Sequence, residues 1–269
     1  MKNRIWKNTP DVDDNDFKPL VDSIINSETK KVKSSLILGR AGTGKSHLIK
    51  EIQKRLHILD IPYISLSPTN VACIGIDGIT INRFINKVSR NIKKCDAKVV
   101  IVDEISMVNE QFLKFFSTLK RLKTKVKFLI CGDFSQLEPV ADRVKNANYK
   151  DSPVVFELTS GNRINLSKCR RSDDKIFNMT LPENIDKIKP EDFGSKLCKT
   201  NLCFTNDRRK IINQCLMKRF SKNKHHIRIG KLVYDENSQD VIIYKGLPII
   251  SRKTTSIKTE NDKVHICKN

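Results

Sequence analysis

The chain has 269 residues, and its 51 Lys and Arg against 30 Asp and Glu give a formal charge of +21. That excess favours a polyanionic partner, with nucleic acid the first candidate and a merely solvated lysine-rich surface the plainer alternative. No run approaches the roughly 18 apolar residues of a membrane-spanning helix, and the eight cysteines show neither C-x-x-C pairs nor finger spacing to His, so no zinc site is suggested.

Scattered cysteines fit a reducing compartment, and Met1–Lys7 is followed by no apolar signal core. An intracellular protein is expected, in cytoplasm or nucleus alike. The abundance of Lys, Asn and Ile suits an AT-rich genome such as that of a virus or protist.

Residues 1 to about 16 are polar and Asp-rich and read as a loose lead-in. Phe17–Ile25 carries Phe17, Leu20, Val21, Ile24 and Ile25 on one helical face. Strands and helices then alternate: strand 34–39, helix 44–58, strand 62–67, helical pattern near 80–94, strand 98–103, helix 109–122 and strand 126–132. Alternation with apolar strands predicts an α/β fold, a parallel sheet covered on both faces. After Val140 the pattern loosens, and a second unit is expected from about residue 161. Its predicted pieces are a strand at Leu197–Thr205, a helix at Asp207–Arg219, and short strands at Lys231–Tyr234, Val241–Tyr244 and Leu247–Ile250.

The chemistry centres on Gly39-Arg40-Ala41-Gly42-Thr43-Gly44-Lys45-Ser46, which satisfies G-x-x-x-x-G-K-[ST] between a strand and a helix. Glycines let backbone amides wrap a phosphate chain at a helix N-terminus. Gly39, Ala41, Gly42, Thr43, Gly44, Lys45 and Ser46 are therefore the expected ATP-binding residues. Lys45 would reach the β- and γ-phosphates and Ser46 would ligate Mg²⁺. Val99-Val100-Ile101-Val102-Asp103-Glu104 reads as a Walker B strand, with Asp103 in the Mg²⁺ shell and Glu104 orienting and deprotonating the attacking water. Downstream, Gly132-Asp133 is followed by Gln136, whose neutral amide suits contact with the γ-phosphate or that water.

Gly132-Asp133-x-x-Gln136-Leu137-x-Pro139-Val140 resembles motif III of superfamily 1 DNA helicases, in the 5′-to-3′ branch with RecD-like and Dda-like members. Val102–Val108 resembles motif II of that branch, Gly39–Ser46 its motif I, Ser67–Ala72 its motif Ia and Gly78–Phe84 the continuation, with Asn82 where His is usual. Leu166–Ser172 is similar to motif IV. Phe204–Asp207 and Lys245–Ile249 resemble later landmarks. The resemblance spans residues 30 to 255. It implies a P-loop NTPase with a RecA-like sheet and a second, incomplete RecA-like lobe, in three parts: lead-in and helix 1–28, ATPase lobe 29–160, and partial second lobe 161–269.

What the resemblance implies in function is a helicase or translocase that hydrolyses ATP with Mg²⁺ and moves 5′-to-3′ on single-stranded DNA or a forked duplex. Lys45, Glu104, Gln136 and Arg171 would be catalytic. Arg171 rather than its neighbour Arg170 would face the γ-phosphate, by its spacing from Leu166. Thr69, Asn70 and Arg83 would contact DNA phosphates. Phe84 either stacks on a base or fills the core beneath an amphipathic helix. Arg90, Lys93 and Lys94 extend the basic face. The family's Gln ahead of the P-loop, its Thr-x-His-Lys-x-Gln-Gly stretch and its Ala-x-(Ser/Thr)-Arg stretch do not occur. The region between Phe84 and the Walker B strand is short. These departures keep a second reading open, a nucleotide-gated nucleic-acid-binding module that does not unwind, and predict a partner protein covering the second lobe.

Overall fold

A computed structural model of the chain describes residues 4–12, 16–89, 92, 95–136, 152–179, 181–189, 197, 201, 203, 205–247, 255–258 and 263–266. It forms two compact units, Met1–Asn184 and Ile185–Asn269. In chain order the first holds β1 (Lys7–Thr9), α1 (Lys18–Ile24), β2 (Ile25–Asn26), β3 (Lys31–Val32), β4 (Ser35–Gly39), α2 (Lys45–Ile58), β5 (Tyr63–Ser67), α3 (Asn70–Gly75) and β6 (Ile79–Thr80). It continues with α4 (Ile81–Val88), β7 (Val99–Val102), α5 (Glu110–Leu122), β8 (Lys127–Gly132), α6 (Pro153–Leu158), β9 (Asn162–Leu166) and α7 (Asp174–Met179), and α8 (Pro182–Ile185) runs across the boundary.

Seven strands form one sheet in the order β1-β9-β4-β8-β7-β5-β6, every pair parallel. Side chains of neighbouring residues point to opposite faces of a strand, so Leu36 and Ile37 enter different cores. One core joins Ile37, Ile101, Leu129 and Ile164 to Leu20, Val21 and Ile24 of α1 and Leu48, Ile49, Ile52 and Leu56 of α2. The other joins Leu36, Val100, Val102, Phe128 and Ile130 to α4, α5 and α6. Covered on both faces, the central strands are apolar throughout, as in Val99–Val102, where all four residues are buried. Side-chain oxygens start the helices: Asn109 Oδ1 accepts from Phe112 N at 3.0 Å and Thr80 Oγ1 accepts from Arg83 N at 3.3 Å.

The expected lead-in is instead part of the sheet. β1 runs parallel beside β9, and Phe17 is 2 % exposed. The expected break at 160/161 also moves, because β9 lies between β1 and β4 with Ile164 and Leu166 buried. A five-residue strand with only two inward apolar residues has too weak a local pattern to announce itself.

In the second unit α9 (Asn206–Ser221) forms as predicted, capped by Thr205 Oγ1 accepting from Arg208 N at 3.2 Å. β10 (His226–Ile229) pairs antiparallel with β11 (Val241–Tyr244), and β12 (Thr255–Lys258) with β13 (Lys263–Ile266). Val241–Tyr244 is thus a strand as expected, but Lys231–Tyr234 is not: those residues are loop, and His226–Ile229 takes the pairing. Asp240 Oδ1 and Ser238 Oγ accept from the N–H groups of Lys231 and Leu232, which offers that backbone a turn instead of a ladder. The segment predicted as strand at 197–205 and Pro248–Ile250 lie largely outside the described residues. The described strands of this unit contain no parallel pair.

Candidate active site

Because the sheet is wholly parallel, the carboxyl ends of β4, β5, β7, β8 and β9 open on one edge. Ligands of open α/β sheets bind at that edge. β4 runs into the glycine loop. Gly42 and Gly44 have φ of +89° and +92°, backbone that L side chains resist, and Gly44 is the N-cap of α2. A Cβ on Gly39 would stand 2.9 Å from the Leu166 carbonyl oxygen, so the loop can pass β9 only without a side chain there. Lys45 is largely buried, and its Nζ donates to the carbonyls of Gly39 at 2.6 Å and Arg40 at 3.0 Å. Thr43 Oγ1 donates to Arg40 O at 2.8 Å, which ties the loop across itself.

Asp103 leaves the end of β7 buried, its Oδ1 accepting from Glu104 N at 2.9 Å. Burial pushes its carboxyl up to about 6; the Glu104 N–H and the Lys45 charge oppose that rise and the Glu104 carboxylate adds to it. Glu104 itself sits at φ +56°, left-handed for a non-glycine residue, and caps a 3₁₀ turn at Ile105–Met107. Gly132 allows this turn to approach β8: a Cβ there would stand 2.7 Å from Ile105 N. Asp133 gathers Ser135 Oγ at 2.6 Å, Ser135 N at 3.0 Å and Gln136 Nε2 at 3.2 Å. Its partial burial would raise the carboxyl, but these hydrogen bonds with Ser135 and Gln136, helped by Lys45, hold it below the usual range. Leu137 to Val140 lie outside the described residues.

These pieces share a cavity of about 740 Å³, lined by Ala41, Gly42 and the turn from Gly44 to His47 together with Phe17, Glu104, Gln136, Arg170 and Arg171. Lys45, Ser46, Glu104, Gln136 and Arg171 thus meet as the motif order implied. The arginines arrive from the end of β9, inside the first unit.

The two arginines are not equivalent. Arg170 is a clamp. Its guanidinium donates from Nη1 to Asp11 Oδ2 at 3.1 Å and Thr43 O at 3.0 Å, and from Nη2 to Asp11 Oδ1 at 3.0 Å and Val12 O at 2.9 Å. It also lies 4.7 Å over the Phe17 ring. Its side chain is 8 % exposed and that of Asp11 is 4 %. Asp11 Oδ2 accepts further bonds from Ser167 N at 2.9 Å and Lys168 N at 3.0 Å. Burial would raise the Asp11 carboxyl, yet the Arg170 hydrogen bonds, followed by those from the Lys168, Ser167 and Val12 backbone, leave it below the ordinary carboxylate value. Arg171 is exposed at the crevice, with its charge available to a ligand. Phe17, His47 and Asp11 are site components that no motif marks.

Of the residues expected to contact DNA, Thr69 caps α3 through its hydroxyl oxygen, which accepts from Ala72 N at 3.3 Å, and Asn70 and Arg83 are exposed. Phe84 is corrected: at 1 % exposure, edge-on to Phe115 with ring centres 6.1 Å apart, it fills the core and cannot stack on a base. Arg90, Lys93 and Lys94 lie outside the described residues.

Strand β4, glycine loop, lysine and the buried acid at the end of β7 define a P-loop NTPase with a RecA-like sheet. Residues 20–188 match the AAA domain family, and the chain belongs to that family. It is similar to the ATP-dependent DNA helicase PIF1 of Danio rerio, 28% identical over 199 residues that cover 65% of this chain and 31% of that protein. The Pif1 of Campylobacter jejuni, also named an ATP-dependent DNA helicase, is 26% identical over 175 residues, 56% of this chain and 39% of that one. The chain spans between about a fifth and two fifths of the length of the curated relatives it matches. Among solved structures, the Pif1 helicase of Candida albicans shares the fold with a TM-score of 0.60 at 18% identity, over 87% of this chain and 63% of that one. Bacteroides Pif1 bound to single-stranded DNA gives 0.55 at 16% identity, over 94% and 79%. No helix among the described residues is long and apolar enough to cross a membrane.

Proposed function

We propose that the chain hydrolyses ATP in this crevice and couples the hydrolysis to movement along single-stranded DNA, as a helicase or translocase of 5′-to-3′ direction. The observation that carries the reading is the convergence of Lys45, Ser46, Glu104, Gln136 and Arg171 on one cavity from four strand ends. Lys45 neutralises the β- and γ-phosphates. Glu104 orients the attacking water and accepts its proton. Gln136, tethered to Asp133, reports the state of the γ-phosphate. Arg171 stabilises the charge of the transferring phosphoryl group. The donor set fits Mg²⁺: the Ser46 hydroxyl and Asp103 carboxylate are hard oxygens, and Mg²⁺ takes one or two carboxylates with substrate phosphates. Bound there, the ion would supply charge neutralisation between phosphate oxygens. Asn70 and Arg83 are read as contacts to DNA phosphates. Residues 185–269 are read as the start of a second lobe, a reading supported by motif order. Names of the relatives support the DNA and ATP assignments.

The test is single-strand-stimulated ATP hydrolysis by wild type, Lys45→Ala and Glu104→Gln. Wild type should be stimulated, and loss of the general base should slow turnover about 10²–10⁴-fold. Hydrolysis indifferent to both substitutions rejects the proposal. Unwinding of a 5′-tailed but not a 3′-tailed duplex reads the direction.

A further inference from the structure

A parallel sheet has two unlike edges. While the nucleotide crevice occupies the carboxyl ends of the strands, the edge where the strands begin carries a second cavity of about 1240 Å³. Its walls bring together Lys30, Lys31, Lys33, Lys98, Lys125 and Lys127. Three of these mark neighbouring strands: Lys33 precedes β4, Lys127 opens β8 and Lys98 precedes β7, with Lys127 N donating to Lys98 O at 2.9 Å. The β2–β3 hairpin contributes Lys30 and Lys31 as a side wall. A smaller adjoining cavity shares Lys98 and Lys125 and adds Lys123 with one carboxylate, Asp96.

Little offsets this charge. The cavity's carboxylates are Asp22 and Asp60, and Asp22 is already engaged by Arg55 at 2.7 Å. None of the six lysines makes an ion pair among the described residues. Their mutual repulsion is relieved by a polyanion. The lining residues include no aromatic ring, so the surface can hold phosphates but offers no platform for unstacked bases. Ammonium groups bind phosphate as point charges and read no sequence.

We propose that this basic floor binds the phosphate backbone of duplex nucleic acid, at a site separate from the nucleotide crevice and from the single-strand contacts on the opposite edge. A motor so equipped holds the paired arm of its substrate while it acts on the unpaired one. The binding itself does not depend on the ATPase reading, since it is measured without nucleotide.

The experiment titrates the full chain against a fluorescein-labelled blunt duplex of roughly 20 base pairs and follows anisotropy as salt rises from about 50 to about 200 mM. Six phosphate contacts predict a loss of affinity on the order of 10³-fold over that range, and three predict about 40-fold. The triple variant Lys33→Gln, Lys98→Gln, Lys127→Gln should therefore flatten the slope by about 3. A control variant, Lys50→Gln, Lys54→Gln, Lys114→Gln, removes the same charge from exposed helix faces and should keep the wild-type slope; circular dichroism establishes that both variants are folded. Equal flattening in both would overturn the proposal, because diffuse charge would then suffice. An unchanged slope in the floor variant would do so as well. Oligo-dT affinity should survive the floor substitutions; an equal loss there would refute the assignment to duplex. Polyglutamate of matched charge that binds the floor more tightly than the duplex would assign it to an acidic protein instead.

Discussion

Removing the Asp11 carboxylate isolates the clamp on the glycine loop. In Asp11→Ala the Arg170 guanidinium stays enclosed, since its side chain is 8 % exposed and its other acceptors include the carbonyls of Thr43, Val12 and Lys168. Deleting one partner of a buried, hydrogen-bonded pair costs about 3–5 kcal/mol. The loss here includes two bonds from Arg170 and two more from the backbone of Ser167 and Lys168. For a domain of this size each kcal/mol lowers Tm by about 2–4 °C, so a fall of roughly 6–20 °C is expected by calorimetry. Replacing both partners, Asp11→Leu with Arg170→Met, should recover most of that loss, since apolar isosteres of a buried pair are often neutral. The pair also has a pH signature. The folded Asp11 carboxyl titrates below its unfolded value, so its contribution is present above the unfolded pKa and fades as pH falls through the folded one. The wild-type stability curve should accordingly drop more steeply on its acid limb than that of Asp11→Ala. A single variant within about 1 kcal/mol of wild type, the range of exposed pairs, would refute the clamp; so would a double variant no better than the single.

Arg171→Ala should leave Tm unchanged while turnover falls by about 10³–10⁵-fold, the range of a γ-phosphate arginine; a stability loss like that of the Asp11 variant would mean the two arginines exchange roles. Gln53→Leu should cost about 1–3 kcal/mol in urea unfolding, because Gln53 Nε2 donates to Ser65 Oγ at 2.8 Å and Ile76 O at 2.7 Å, both bonds buried. Phe84→Ala should cost about 3–5 kcal/mol through the cavity it leaves, and once folded at low temperature it should bind oligo-dT as wild type does. Gly44→Ala should both destabilise the fold and weaken nucleotide binding, measured by calorimetry and by titration with a fluorescent ATP analogue, since its φ is +92° and a Cβ would stand 2.7 Å from Phe17 Cζ.

The motif residues were legible because their chemistry is local. A phosphate loop needs its glycines, lysine and hydroxyl within eight positions, and an apolar run ending in Asp103-Glu104 states both the strand and its use. The strands β4, β7 and β8 were legible for a related reason: covered on both faces, they carry apolar runs, Leu36–Leu38, Val99–Val102 and Phe128–Cys131. What the pattern concealed lies where partners are far apart in the chain. Asp11, in a segment that reads as a polar lead-in, meets Arg170 across 159 positions. Phe84 carries the same helical spacing whether it faces a core or a base, and packing against Phe115 settles it. Arg170 and Arg171 are identical in composition and adjacent in sequence; the direction each takes from the end of β9 makes one a buried clamp and leaves the other facing the crevice. The lysines of the strand starts were visible only as scattered charges. A wholly parallel sheet brings such residues to one edge, because strand order and direction are properties of long-range pairing that no local window contains.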